Sequence, residues 1–214
     1  MANFKTHLSA GTLLGIACAS GAMMYGITTE WTILVLLVFA ISVGSFLPDV
    51  DSDSSAPFKI VFYSLGIIFS IFAILWTTSN YPNQLFIIIV VPISTFFIIR
   101  FVLGTIFKKF THHRGIFHSI PMAAVSILST LFVLQKCHHF TELQNLLLAV
   151  GVGVGFIGHL ILDEIYAATN FNGKKFRPNK NLGSALKFWS HSLPMTLFVY
   201  IIIFILFSVT IIEL

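Results

Sequence analysis

Seven runs of apolar residues follow one another along the chain, separated by shorter polar stretches. Each run is close to the roughly 20 residues that an α-helix needs to cross the hydrocarbon core of a bilayer. The pattern therefore predicts an all-α, polytopic membrane protein with about seven transmembrane helices. The runs cover residues 8–25, 31–47, 58–77, 85–103, 119–135, 143–166 and 193–212.

The first run is less apolar than the others because serine, threonine and glycine interrupt it, for example at Ser9, Gly11 and Gly15. Small residues lower hydropathy but allow a helix to pack closely against other helices. We expect this run to be retained as a first helix packed against protein rather than lipid, and not to be removed as a signal peptide.

The composition agrees with a membrane protein. Hydrophobic residues make up 57% of the 214 residues and charged residues only 9%, whereas a soluble domain would carry about 25% charged residues. Seven helices of membrane-spanning length leave little chain over. We therefore expect a single integral-membrane domain over residues 1–214, without a separate soluble domain.

Lysine and arginine are distributed very unevenly when the loops are assigned to alternate sides of the membrane. Eleven fall on the side of the N-terminus, and only Lys136 falls on the other side. Basic residues accumulate in cytoplasmic loops, so the count predicts a cytoplasmic N-terminus. The eleven are Lys5, Lys59, Arg100, Lys108, Lys109, Arg114, Lys174, Lys175, Arg177, Lys180 and Lys187.

The same alternation gathers the unusual polar residues at the cytoplasmic membrane face. Ionisable side chains in or beside membrane helices are costly and often functional. The alternative is that they are unrelated surface and capping residues. The set comprises His7, Asp49, Asp51, Asp53, His112, His113, Arg114, His118 and His191, with His159 and Asp163 near the same end of the sixth run.

Within the sixth run, His159 and Asp163 are spaced four residues apart, which places both on one helix face. They could reach one metal ion or two adjacent ions. Gly151 and Gly155 precede them at the same spacing, and such a stripe lets a neighbouring helix approach and bring further ligands. We interpret these glycines as helix packing rather than as a nucleotide-binding loop.

Three alternating carboxylates, Asp49, Asp51 and Asp53, follow Pro48 at the end of the second run. They indicate either a metal-bridging site or a solvated loop. An EF-hand is excluded because Ser54 and Ile60 occupy the positions where that loop needs glycine and glutamate.

The pentapeptides His118-Ser-Ile-Pro-Met122 and His191-Ser-Leu-Pro-Met195 are nearly identical, and each opens an apolar run. In both, the serine is placed to cap the helix and the proline suits its first turn. The free N–H groups at such helix starts can bind an anion. The alternative is simple helix-start chemistry with an incidental histidine.

Arg114 lies between His113 and His118, beside Gly115, which allows a tight turn. The planar guanidinium suits bidentate binding of a phosphate. The alternatives for Arg114 are a topology signal or contact with lipid headgroups.

Taken in order, four motifs resemble the YdjM-like family of membrane-bound, predicted metal-dependent hydrolases. The resemblance spans most of the chain, and a distant similarity of that family to zinc-dependent phospholipase C would imply a multi-metal phosphoester hydrolase. Residues Asn172 to Lys187 are unusually basic for the family. The motifs are His7, Pro48-Asp49-Val50-Asp51, His113-Arg114-Gly115-x-x-His118-Ser119 and Gly158-His159-x-x-x-Asp163.

We therefore predict a metal-dependent phosphoesterase of the inner membrane that acts on a lipid or lipid-linked phosphate at the cytoplasmic face. Asp51, Asp163 and Arg114 are the predicted catalytic residues. The cofactor would be two divalent ions, zinc first, with manganese or iron as alternatives. The predicted metal ligands are His7, Asp49, Asp51, His113, His118, His159, Asp163 and His191.

The expected partner is a membrane lipid with an anionic headgroup, held near the site by the basic segment Lys174 to Lys187, and no nucleic acid is expected. Two rival functions are a metal-ion transporter and a non-catalytic metal-binding membrane partner protein. A transporter would place its ligands near the middle of the bilayer.

Overall fold

The computed structural model describes residues 3–51, 56–110, 115–168, 186–190 and 192–212. These residues form helices and connecting turns, and none of them is in a β-strand. The elements are α1 (Phe4–Met24), α2 (Trp31–Gly44), a 3₁₀-helix (Leu47–Asp51), α3 (Ala56–Asn80), α4 (Leu85–Phe97), a π-helix (Ile98–Leu103), α5 (Gly104–Phe110), α6 (Ile120–Cys137), α7 (Glu142–Ala168) and α8 (Leu193–Ile212).

The seven predicted helical runs are confirmed, since α4, the π-helix and α5 follow one another without a break. Within the described residues, six helices are long and apolar enough to cross a membrane. The seventh, α2, has 14 residues and is therefore about 21 Å long. It is shorter than the apolar run because the chain turns after Gly44 and continues as a 3₁₀-helix that contains Pro48. Proline disfavours α-helical geometry at the residue before it.

The chain folds as two compact units. The first comprises Met1–Pro48 and Arg114–Leu214, and the second comprises Asp49–His113. Helices α1, α2, α6, α7 and α8 belong to the first unit, and α3, α4, the π-helix and α5 belong to the second. The single domain expected over residues 1–214 stays a prediction.

In the first unit, α1 packs on α2 and α7, α2 packs on α7, and α6 packs on α7 and α8. The buried face of α1 is built almost entirely of small residues and packs against other helices as expected, while apolar residues on its other side, such as Leu13 and Ile16, are exposed. The buried positions recur at helical spacing and are His7, Gly11, Gly15, Ala19 and Ala22. They bring the α1 backbone so close to α2 that a Cβ on Gly15 would lie 3.0 Å from the Cα of Val38.

Two glycines set the close approach of α2 and α7. A Cβ on Gly44 would meet the Val152 carbonyl, and a Cβ on Gly155 would meet the Ile41 carbonyl. The backbones of α2 and α7 are therefore in contact at these two glycines, which have no side chains. Small-residue motifs in membrane helices permit such close packing. The prediction that Gly155 serves helix packing is confirmed, and the neighbouring helix is α2.

The second unit is built on a helical hairpin in which α3 packs on α4. Pro92 lies inside α4, and the Ser70 hydroxyl of α3 donates a hydrogen bond to the Pro92 carbonyl across the hairpin (2.9 Å). The wider π-helical turns of Ile98–Leu103 follow within two turns of this proline. A cluster of aromatic rings that includes Phe58 and Phe62 packs between α3 and α5.

Candidate metal centre

Four ionisable side chains are buried together in the first unit. They come from α1, from the turn before α6 and from α7, so three separate segments of the chain meet here. Each side chain is only 1% exposed to solvent. The four residues, called the histidine cluster below, are His7, His118, His159 and Asp163.

His7 joins the cluster because α1 begins three residues before it. The Asn3 side chain caps the helix by accepting a hydrogen bond from the Thr6 N–H (2.9 Å). This start places His7 in the first turn, on the glycine-rich face that packs against α2 and α7. Its Nε2 lies 3.4 Å from Oδ1 of Asp163, and its ring stacks on His159 with centroids 3.7 Å apart.

His159 has a defined tautomer. Its Nδ1 lies 2.8 Å from the Ser45 carbonyl oxygen, and because a carbonyl can only accept, Nδ1 must carry the proton. In the neutral ring the lone pair therefore resides on Nε2. Histidines that bind metals commonly donate their other N–H to a backbone carbonyl in this way.

Ser45 is held in place by the close packing of α2 and α7. Its N–H donates to Ile41 at the end of α2 (3.0 Å), and its hydroxyl donates to the Ser42 carbonyl (2.7 Å). The contact between α2 and Gly155 fixes the same stretch from the other side. The glycine packing therefore also orients the His159 ring.

His118 is presented by a tight turn that precedes α6. Its N–H donates to the Gly115 carbonyl (3.3 Å), and the Ile120 N–H donates to the Lys187 carbonyl (3.1 Å). The His118 ring approaches His159 edge to face, with centroids 5.5 Å apart.

The prediction that the Ser119 side chain caps α6 is wrong. Ser119 does occupy the N-cap position and Pro121 lies in the first turn, but the serine side chain makes no capping hydrogen bond. Its hydroxyl instead donates to the Ile116 carbonyl. Ser119 therefore stabilises the turn that carries His118. At the second copy of the motif, the Ser192 carbonyl accepts from Thr196 at the start of α8 (3.0 Å).

The histidine cluster has the donor atoms and spacing of a metal site. One donor atom from each of His118, His159 and Asp163 lies within 4.8 Å of the other two. Nitrogen and oxygen ligands about 2.0–2.2 Å from a tetrahedral ion lie about 3.3–3.6 Å apart, so the three side chains would move closer together to share one ion. His7 adds a third imidazole, whose buried Nδ1 makes no hydrogen bond within the described part of the chain.

A cavity of about 110 Å³ adjoins the cluster between α1 and α7. His7, His159 and Ser45 contribute to its wall, and the rest of the wall is apolar. Two of its apolar residues, Ile161 and Ile165, are 45% and 47% exposed on the outer side of α7. The remaining lining residues are Ala10, Gly11, Leu14, Gly155, Gly158 and Leu162.

The structure thus brings together four of the residues predicted from the sequence, and their role as metal ligands stays a prediction. The predicted residues His113, Arg114 and His191 lie outside the described residues, as do His112 and Asp53. Asp49 and Asp51 belong to the second unit, where the 3₁₀-helix Leu47–Asp51 holds their backbone. The ligands of a second ion depend on these residues and also stay predictions.

Sequence reasoning missed Ser45, because it acts through its backbone carbonyl and a carbonyl leaves no trace in a residue pattern. The one available signal was a pair of serines, Ser42 and Ser45, at the end of an otherwise apolar helix. The lining of the cavity was also not predicted. It depends on which faces of α1 and α7 meet.

A family model described as YdjM inner membrane protein matches residues 1–212 of the chain. Neither the curated proteins nor the solved structures include a match.

Proposed function

The chain belongs to the YdjM inner membrane protein family, and from this premise we propose that it is a metal-dependent hydrolase. Its substrate would be a phosphoester on a lipid or lipid-linked molecule, cleaved at the cytoplasmic face. It is a multi-pass inner membrane protein, and the described part of the chain includes six helices able to span a bilayer.

The observation that carries the proposal is the burial of the histidine cluster. Three imidazoles and a carboxylate are withdrawn from water inside a bundle of apolar helices. Burying a carboxylate costs several kcal/mol unless nearby charge or hydrogen bonds offset it. A divalent cation held by His118, His159 and Asp163 would supply that positive charge and would explain why these three side chains are buried together.

Zinc is the first candidate because imidazole and carboxylate ligands at this spacing suit it, and manganese and iron accept the same donor set. A bound ion would supply a Lewis acid for a phosphoryl oxygen and make a coordinated water more acidic.

The side chains of the cluster would then have separate tasks. The Ser45 carbonyl keeps the proton of His159 on Nδ1, so Nε2 is the nitrogen that would coordinate the metal. His7 faces Oδ1 of Asp163, where it can hold the carboxylate in position and exchange a proton with it. The catalytic roles of Asp51 and Arg114 stay predictions from the sequence.

The cavity beside the cluster supports a lipid as the substrate. Apart from His7, His159 and Ser45 its wall is apolar, which suits a hydrocarbon chain better than a polar metabolite. Ile161 and Ile165 continue from the cavity to the exposed side of α7. A lipid could therefore place its phosphate near the histidines while its chains stay in the membrane.

The position of the cluster along the helices argues for hydrolysis over transport. His7 lies in the first turn of α1, His118 just precedes α6, and Asp163 is five residues from the end of α7. Transporters place their ion sites near the bilayer midplane, on interrupted helices. A cluster at helix ends is closer to what a membrane-surface enzyme needs.

The test is hydrolysis of lipid phosphoesters by the purified full-length protein, measured as release of inorganic phosphate from monoesters and of the phosphorylated headgroup from diesters. His118→Ala and Asp163→Ala should lower kcat/KM by more than the roughly 10- to 100-fold typical of residues that only support a ligand. The matched control is Asn145→Ala, since Asn145 is equally buried on the same helix as Asp163 but lies near its other end.

Full activity in His118→Ala and Asp163→Ala would refute the proposal, provided that size-exclusion profiles and circular dichroism match the wild type. A wild type that binds metal but hydrolyses none of a broad panel of lipid phosphates would instead favour a transporter or a non-catalytic metal-binding protein.

A further inference from the structure

Arg100 is an unusual residue of the second unit. It lies near the end of the apolar helix Leu85–Lys108, at the side predicted to face the cytoplasm. An ionisable residue within a membrane helix points to a functional site by default. Nothing in the proposed hydrolase mechanism uses it.

The guanidinium of Arg100 is surrounded by aromatic rings rather than by carboxylates. Its Cζ lies 4.3 Å from the centroid of Tyr63, 5.3 Å from that of Phe101 and 5.7 Å from that of Phe58. Such contacts stabilise a cation through the ring face. Such contacts do not occupy the N–H donors at the edge of the guanidinium, which can bind an oxyanion.

One hydrogen-bond donor of Arg100, its Nε–H, is not used by the described residues. Its Nε is buried and makes no hydrogen bond to any of them, and no carboxylate in the described ranges forms an ion pair with the guanidinium. A buried donor without an acceptor is costly. An anion from outside the chain would satisfy it.

A second cation shares one of these rings. The Lys108 ammonium lies 4.5 Å from the centroid of Phe58, the ring that Arg100 also faces. Phe58 is 2% exposed, so the ring is a fixed platform for both cations.

The backbone is also irregular at this point. Arg100 lies inside the π-helix Ile98–Leu103, a rare element that often marks functional sites. From these observations we propose that Arg100 and Lys108, set on Phe58 and Tyr63, bind a phosphate-bearing anion. The phosphate could belong to an anionic lipid headgroup or be free in solution, and the two sources are separable by experiment.

The experiment measures ligand-dependent thermal stabilisation and bound lipid, by native mass spectrometry, for the full-length protein in detergent. The probes are phosphatidylglycerol, phosphatidylcholine and inorganic phosphate. We expect phosphatidylglycerol to raise the Tm of the wild type and to remain bound. Arg100→Gln should bind it about tenfold more weakly, since charge-assisted hydrogen bonds are lost.

The matched control is Lys136→Gln. Lys136 also lies over a single aromatic ring, that of Phe132, at 5.6 Å, but shares it with no second cation among the described residues. This variant should bind phosphatidylglycerol like the wild type. Arg100→Lys keeps the charge but loses the bidentate fork, so it should bind less than the wild type and decides the matter if Arg100→Gln does not fold.

Stabilisation of the wild type by inorganic phosphate alone, lost in the Arg100 variants, would support the site and identify a soluble phosphate as its source. Equal binding of phosphatidylglycerol and phosphate by the wild type, Arg100→Lys and Lys136→Gln would overturn the proposal. Arg100 would then be only a topology signal packed on aromatic rings.

Discussion

Helix α7 and the continuous helix Leu85–Lys108 have similar hydropathy but very different surroundings. The most apolar 18-residue stretches of the two helices have mean hydropathies of 2.0 and 2.6. In α7, however, 56% of that stretch is buried inside the protein, and in Leu85–Lys108 only 6% is. Hydropathy therefore identifies both as membrane helices and does not show which one lines a site. The small residues and ionisable residues of α7 mark that difference.

The two helices also accommodate charge differently. On α7, His159 and Asp163 are buried among side chains from other helices of the first unit. On Leu85–Lys108, Arg100 lies against the aromatic rings of its own hairpin. A buried set of ligand side chains from several segments suits a bound metal ion, whereas cations set on aromatic rings suit an anion at the membrane surface.

The largest expected effect is a difference in stability between glycine-to-alanine substitutions in the two units. Gly155→Ala would drive a Cβ into the Ile41 carbonyl and should destabilise the protein by about 1–3 kcal/mol or more, as overpacking does. Gly104→Ala would place its Cβ 3.3 Å from the Phe58 ring, and the gain in helix propensity, about 1 kcal/mol, should offset that contact. Thermal unfolding in detergent measures both.

Gly21→Ala provides the control, because a Cβ there would meet nothing within 4 Å. If Gly155→Ala unfolds at the same temperature as Gly21→Ala, the close contact of α2 and α7 is not what holds the first unit together.

A smaller effect should follow from filling the cavity of the first unit. Ile161→Trp should reduce hydrolysis of lipid phosphates roughly tenfold, an effect of about 1.4 kcal/mol on the transition state. Hydrolysis of a water-soluble phosphate ester should change little, because that substrate does not need space for an acyl chain.

Val150→Trp is the matched control, since Val150 is similarly exposed on α7 and does not line the cavity. Equal loss of lipid and soluble turnover in Ile161→Trp would show that the substitution damages the site itself, and the cavity would lose its assigned role.

The smallest effect concerns one hydroxyl group in each unit. Ser42 lies 3.2 Å from the Thr12 hydroxyl of the neighbouring helix, and Ser70 donates to the Pro92 carbonyl across the hairpin. Ser42→Ala and Ser70→Ala should each lower stability by about 1 kcal/mol. A much larger loss in Ser42→Ala alone, measured by thermal unfolding, would show that Ser42 also supports Ser45 and His159.

Much of the fold was predictable because hydropathy and helix length are local properties. The seven runs, the packing role of Gly155 and the small-residue face of α1 all followed from spacing. The end of α2 was not predicted, since the apolar pattern continues past Gly44 while the backbone turns before Pro48. A count of apolar residues does not register such a turn.

The candidate site was predictable in its residue types and less so in its arrangement. The four-residue spacing predicted that His159 and Asp163 share a helix face. The distribution of lysine and arginine between the two sides of the membrane predicted that both lie near the cytoplasmic face, together with His7 and His118. Their mutual distances depend on how three segments pack, which no local pattern encodes. The tautomer of His159 depends on the Ser45 carbonyl, and the Ser119 hydroxyl acts on the turn before α6 instead of capping it.

Elemental analysis of the purified protein, kept free of chelator, tests the central claim most directly. The account predicts at least one divalent transition metal ion per chain in the wild type. That metal should be lost in His159→Ala and in Asp163→Ala and retained in Asn145→Ala. A folded wild type that carries no stoichiometric metal, or metal content unchanged in His159→Ala and Asp163→Ala, would contradict it.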